Sequence, residues 1–204
     1  MSFPNTASGW EQFANNVCGG EFRDLVRGGL LTGARYGELA RLRCKDYDPR
    51  NGTIHIAESK SGRPRHVYLT DEGKALFDTL TADKPRDGLV FVNSVKRRKR
   101  MADSGAWGEG DETKLMRAAC EAAGLPHLGF HQLRHTYASW LVNKGVPLGV
   151  VAHQLGHSDT RMVERHYGHL APSYVADTVR AAFPALGIVD APKVEPLRIR
   201  GKLG

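Results

Sequence analysis

The 204-residue chain holds only three cysteines, Cys18, Cys44 and Cys120. They are odd in number and far apart, and none belongs to a CxxC pair. That pattern offers neither a disulfide framework nor a cysteine metal site, and it suits a reducing compartment. Long apolar runs are lacking too, so nothing in the sequence reads as a membrane span. The opening Met1-Ser2-Phe3-Pro4-Asn5 leads into no signal-like segment. These absences point to a cytoplasmic protein that does not engage a membrane. Acidic residues are in deficit: 29 Lys and Arg stand against 22 Asp and Glu, for a net charge of +7 and a pI near 9.5. Such an excess favours a polyanionic partner, nucleic acid before an anionic surface.

What is present reads as one domain with a sizeable core. Apolar residues make up 41% and charged residues 25%, ordinary for a globular chain. Residues 1–20 form a lead-in rich in Asn, Gly and Ser. From Glu21 to Arg43 the apolar positions Phe22, Leu25, Val26, Leu30, Leu31, Leu39 and Leu42 recur at helical spacing, and Thr32-Gly33 splits the run into two helices. The period then changes. Asp48-Pro49-Arg50-Asn51-Gly52 is a turn signal between a strand near Cys44 to Tyr47 and a second at Thr53 to Ala57. Ser61-Gly62-Arg63-Pro64 turns the chain again into His66 to Leu69. A small three-stranded antiparallel sheet is therefore expected.

A helix near 72–80 and an apolar run at Leu89 to Val92 follow. Lys96 to Arg100 is an unbroken basic run. The rest reads as helices near 111–124, 131–144, 147–156, 160–169 and 172–183, with Pro147 and Pro172 suited to first turns. The predicted fold is α+β and mainly helical. The predicted domain runs from 21 to 186, ahead of a tail at 187–204.

Four segments carry residues suited to phosphoryl transfer, which needs donors around phosphorus, a nucleophile and a proton for the leaving oxygen. In Thr32-Gly33-Ala34-Arg35-Tyr36-Gly37-Glu38-Leu39, Arg35 begins a helix beside a glycine, where its planar fork can approach a phosphate while Glu38 orients neighbouring donors. In Glu58-Ser59-Lys60-Ser61-Gly62-Arg63, Lys60 stands on a hairpin and can act as an acid if its pKa is lowered. In Phe130-His131-Gln132-Leu133-Arg134-His135-Thr136-Tyr137-Ala138, His131 and Arg134 are three apart and share a helical face. The last segment runs from Gln154-Leu155-Gly156-His157-Ser158-Asp159 to Arg165-His166-Tyr167-Gly168-His169-Leu170. Gly156 ends a helix and leaves His157 at its exit, and Tyr167 has polar sequence neighbours. Each segment alone has a plainer reading: a surface ion pair, a solvated turn charge, a capping histidine, a core tyrosine.

In this order the segments T-G-A-R-Y-G-E-L, S-K-S-G, H-Q-L-R-H-T-Y-A, L-G-H-S-D and R-H-Y-G-H-L resemble the tyrosine recombinase (phage-type integrase) family over about residues 21 to 184. The resemblance implies a site-specific recombinase or integrase catalytic domain that cleaves and rejoins DNA strands through a covalent 3′-phosphotyrosine, without cofactor or metal. It implies that Arg35 and Arg134 hold the scissile phosphate and Lys60 protonates the leaving 5′-oxygen. His131 and His157 are then accessory groups, one a proton acceptor and the other a hydrogen-bond donor, and Tyr167 is the nucleophile. The implied partners are double-stranded DNA carrying attachment-type sites and, on that DNA, three further copies of a chain that is monomeric alone. The tail would dock on a neighbouring subunit.

Two features depart from the family pattern. Ten positions separate His157 from Tyr167, a wide interval, and there is no room for the helical domain that normally closes over the far side of the duplex. Three other readings compete. A metal site could use His153 with His157, or His166 with His169, but lacks an accompanying cysteine or HExxH carboxylate. A non-catalytic DNA-binding module would not need all six site residues. A type IB topoisomerase shares the first chemical step.

Overall fold

The computed structural model describes residues 20–57, 64–94 and 105–167, together with Phe13. These belong to one compact unit, Met1–Ala171. Lys60, the basic run at 96–100, the helix expected over 172–183 and the tail at 187–204 lie outside the described residues.

Helix α1 (Gly20–Thr32) buries Phe22, Leu25, Val26 and Leu30, the apolar stripe that its spacing predicts. It ends where Gly33 adopts φ +62°, a left-handed conformation that a β-carbon disfavours. A β-carbon there would also lie 2.5 Å from the Tyr137 ring. The chain turns through Gly33 and Ala34 into α2 (Tyr36–Arg41), which leaves Arg35 at the junction.

Strands β1 (Tyr47–Asp48), β2 (Thr53–Ile56) and β3 (Arg65–Tyr68) form the expected antiparallel sheet in the order β1-β2-β3. The register pairs Tyr47 with Ile54, Ile54 with Val67, and Ile56 with Arg65. The turn between β1 and β2 is closed by Asp48, whose carboxylate accepts from the Arg50 and Asn51 backbone amides. The first strand starts later than its sequence suggests, because Cys44–Asp46 is a 3-10 turn. The Asp46 carboxylate accepts the Arg43 amide and the Asp46 amide donates to the Arg43 carbonyl, a local closure that competes with strand pairing.

Helix α3 (Asp71–Thr81) is capped by Thr70, whose hydroxyl accepts the Gly73 amide at 3.2 Å, and it buries Phe77. Helices α4 (Asp111–Ala122), α5 (His131–Asn143), α6 (Leu148–Leu155) and α7 (Arg161–Tyr167) follow. Pro147 stands just ahead of α6 as its N-cap, one place earlier than the expected first-turn position. Among the described residues no helix is long and apolar enough to cross a membrane.

Two apolar clusters organise the core. The larger joins α1, the sheet, α3 and α4, and includes Leu133 of α5. The smaller joins Tyr137, Ala138 and Val142 of α5 to Val151, Ala152 and Leu155 of α6 and to Val163 and Tyr167 of α7. Helix α5 is thus common to both. Arg134 lies between its contributions to the two, next to the ends of α1 and α6.

Candidate active site

A buried cation needs fixed acceptors, and Arg134, only 4% exposed, has them. Its Nη1 donates to the Gly33 carbonyl at 2.8 Å and its Nη2 to the Leu155 carbonyl at 2.6 Å. These carbonyls belong to the exits of α1 and α6, where backbone acceptors lack partners within the helix and the helix dipole is negative. Nη2 also meets His157 Nε2 at 3.3 Å. A guanidinium offers only donors, so Nε2 is the accepting nitrogen in this contact and the ring's proton is on Nδ1.

Glu38 is the second organising residue. Its carboxylate accepts the Arg35 amide at 2.8 Å and Arg35 Nη1 at 2.9 Å. It also takes a two-pronged bond from Arg65, at 3.1 and 2.8 Å. Arg65 Nε donates to the Gln154 carbonyl at 3.0 Å, so the end of α6 orients two arginines. Gln154 fixes β3 as well, through its side-chain oxygen and the Tyr68 amide. Gly156 closes α6 at φ +71°, and a β-carbon on it would lie 2.9 Å from the Arg65 side chain. The glycine therefore serves both the helix exit and the close passage of Arg65.

The cluster holds three guanidiniums and one carboxylate, with Arg35 and Arg65 paired to Glu38 and Arg134 held by backbone carbonyls, which leaves two positive charges uncompensated. Their effects on one another are visible. Burial would raise the Glu38 carboxyl, but the Arg65 hydrogen bond and the Arg65 and Arg35 charges outweigh it and hold Glu38 below the ordinary value. Burial, then Arg35 and Arg65, pull Arg134 down to about 10, which still leaves it charged at neutral pH. His157 is lowered by desolvation and by Arg134, Arg35 and Arg65. His131 is exposed at the start of α5, yet partial desolvation and the Arg134 and Arg35 charges lower it as well. Both imidazoles are neutral at pH 7.

Tyr167 closes α7. Its sequence neighbours are polar, but its ring is buried in the smaller apolar cluster, because Val163 one turn earlier carries that face of α7 into the core. The hydroxyl is hydrogen-bonded with His135 Nδ1, one turn beyond His131 on α5. Desolvation raises the Tyr167 hydroxyl above its ordinary value, partly offset by Arg134.

The structure thus brings Arg35, Arg134 and His157 into one cluster with Glu38, sets His131 at its edge, and places Tyr167 on the adjoining helix. Sequence reasoning missed Arg65 and His135. Arg65 shares strand parity with the buried Val67, so an arginine there needed a buried partner. His135 lies four residues from His131, on one face of the same helix. Among the described residues no three His, Cys, Asp or Glu side chains converge as metal ligands would.

Among the described residues, seven helices around a three-stranded sheet, with clustered arginines beside a tyrosine-bearing helix, define the architecture of a recombinase catalytic domain. The chain matches the Phage integrase family over residues 23–173 and belongs to that family. It is 30% identical to the integrase of Salmonella phage P22 over 175 residues, which cover 80% of this chain and 43% of that protein. It is 28% identical over 170 residues to the tyrosine recombinase XerC of Lactobacillus delbrueckii subsp. bulgaricus, covering 79% of this chain and 55% of the relative. The chain therefore spans about half the length of these relatives. Among solved structures it is similar to the catalytic domain of bacteriophage HP1 integrase, with a TM-score of 0.63, 28% identity, and coverage of 90% of this chain and 95% of that one. A Tn1549 transposon integrase solved with circular-intermediate DNA shares the fold at a TM-score of 0.68.

Proposed function

We propose that this chain is the strand-cutting and rejoining part of a site-specific DNA recombinase. The observation that carries the proposal is the excess of positive charge around Glu38, set beside a tyrosine hydroxyl. Two uncompensated guanidinium charges in a partly desolvated cluster suit a phosphodiester, whose charge grows as phosphorus becomes five-coordinate. Arg35 and Arg134 bind its non-bridging oxygens. Arg65 and Glu38 hold Arg35 in register, with Arg65 acting through Glu38. Tyr167 attacks phosphorus, the P–O bond to the 5′-oxygen breaks, and the 3′-phosphate stays on Tyr167. His131 and His157 flank the phosphate as accessory acceptor and donor. Lys60 delivers the leaving-group proton. It lies in the connection between β2 and β3, which departs from the Ile56–Arg65 pair, and Arg65 belongs to the cluster. Attack by a second 5′-hydroxyl on the phosphotyrosine reverses these steps and exchanges the strand.

The substrate is double-stranded DNA with attachment-type sites, and exchange engages four copies on two duplexes. Relatives that pair this region with further sequence support a partner domain for full affinity. A nicked duplex tests the reading. The chain should form a denaturant-resistant adduct without added metal, and Tyr167→Phe should abolish the adduct while leaving binding nearly intact. Relaxation of plasmid without joining of two duplexes would instead mark a topoisomerase.

A further inference from the structure

Arg35 is the least constrained of the three clustered arginines. Among the described residues its guanidinium has one bond, from Nη1 to Glu38, where Arg65 and Arg134 have three each. It stands at the start of α2, a helix of six residues. So short a helix does not hold itself, because its few internal bonds barely offset the cost of nucleation. Its place is set by what its side chains reach. On one side Glu38 reaches Arg65. Tyr36, two residues before Glu38 and therefore on the opposite side of the helix, is the other anchor. Its hydroxyl donates to the Gly108 carbonyl at 2.7 Å, across 72 positions of chain. Its ring meets Phe130 edge-on, with centroids 5.4 Å apart and planes at 67°. Phe130 immediately precedes His131 and caps the start of α5, the helix that carries Arg134.

We infer that Tyr36 is a positioning residue for strand cleavage: its hydroxyl tether to Gly108 and its ring contact with Phe130 hold Arg35 at the spacing from Arg134 and His131 that one phosphate requires. The inference rests on the recombinase reading of the cluster. Both anchors are themselves fixed. The Gly108 amide donates to the Asp111 carboxylate at 2.7 Å, which closes the turn into α4. Phe130 is buried, and α1 passes so near that a β-carbon on Gly29 would lie 3.0 Å from its ring.

The hydroxyl is a dependable donor. Burial, then the Glu112 and Asp111 charges at the start of α4, raise it well above the ordinary phenol value, so it keeps its proton at neutral pH. A tyrosine used for packing alone would not need that group, since phenylalanine fills the same space against Phe130. A hydroxyl bound to backbone fixes a distance instead. Two guanidiniums that converge on one phosphate need such a distance, because a site tolerates displacements of only about 0.5 Å. The remaining donors of Arg35 are then aimed at the phosphate without being tied to protein.

Tyr36→Phe provides the test, because it keeps the ring against Phe130 and removes only the tether. Adduct formation and binding would be measured on nicked duplexes randomised around the nick. At saturating DNA the variant should react about ten-fold more slowly or worse, with affinity within about two-fold of wild type, since misplacing a reacting group by about 1 Å can cost about a hundred-fold. The same change made in Arg35→Lys, which lacks the planar fork that the tether positions, should slow the reaction by less than about two-fold. A Tyr36→Phe rate near wild type overturns the inference. So does an equal loss in both backgrounds, the mark of a residue that supports the fold and not Arg35. Independently of DNA, the Arg35 amide, which donates to Glu38, should exchange with solvent about ten-fold faster in Tyr36→Phe. Unchanged exchange also overturns it. A wild-type chain that yields no adduct sinks the recombinase reading itself, while the exchange measurement still tests the tether.

Discussion

Arg65 and Arg134 are each fixed by three hydrogen bonds, to Glu38 and the Gln154 carbonyl in one case and to Gly33, Leu155 and His157 in the other. Among the described residues, Tyr167 is held by apolar packing and one bond to His135. The difference follows from what each side must do. Guanidiniums can be stripped of water in a cluster only if backbone and carboxylate acceptors replace it, so the side proposed to bind phosphate is fixed in advance. In the proposed reaction Tyr167 must form a bond to phosphorus and leave it again. Non-directional packing with a single polar tether suits a group that changes partners.

The largest effect should come from the proton that neither side supplies. If Lys60 is the acid, Lys60→Ala should cleave ordinary DNA about two to four orders of magnitude more slowly. Sulfur at the leaving position should restore the rate, because a thiolate departs without a proton, and Arg35→Ala or Arg134→Ala should show no such rescue. A Lys60→Ala defect unchanged by sulfur would reduce Lys60 to a phosphate contact.

Next comes the rigidity of the arginine side. Glu38→Gln leaves Arg35 and Arg65 without their shared carboxylate and should cost about 3–5 kcal/mol in denaturant unfolding, the range for breaking a buried pair. A loss under about 1 kcal/mol would show that the cluster does not depend on Glu38. Gly156→Ala should cost less, about 1–3 kcal/mol, from the left-handed backbone and the approach to Arg65. The variant should also weaken DNA binding by displacing Arg65, whereas a stability loss with unchanged binding would separate the helix exit from the site.

The smallest effect is on stability against pH. His131, His135 and His157 have folded values below their ordinary 6.5, so protons bind the unfolded chain better and stability falls as pH drops below that value. Glu38 is depressed from 4.5, so its contribution is full above that pH and is lost as pH falls through its lower folded value. Acid unfolding should therefore show two stages. Replacing the three histidines by Gln should remove the upper one, and its persistence would place the responsible groups elsewhere.

Much of this was legible in the sequence where local signals and burial agree. Thr32-Gly33 separates α1 from α2, the two turn signals bound a three-stranded sheet, and Gly156 leaves His157 at a helix exit. What was not legible depends on partners distant in the chain. Arg65 reads as a turn-flanking charge until Glu38, 27 residues away, and Gln154, 89 residues away, surround it. His135 reads as a helix-surface residue until α7 brings Tyr167 to it, 32 positions on. The polar neighbours of Tyr167 suggested an open setting, but along a short helix the burial of one face is decided by Val163, not by adjacent residues. The 3-10 turn at Cys44–Asp46 was hidden because a strand and a carboxylate-closed turn compete over the same few residues.

The most direct test of the account is the identity of the bond to DNA. The denatured adduct from a nicked duplex would be digested and sequenced by mass spectrometry. The account predicts one modified peptide, with Tyr167 joined through its hydroxyl to a 3′-phosphate, formed equally well in the presence of a chelator. A bond at Tyr137, Tyr174 or any other residue, a link to a 5′-phosphate, or an adduct that survives Tyr167→Phe would contradict it.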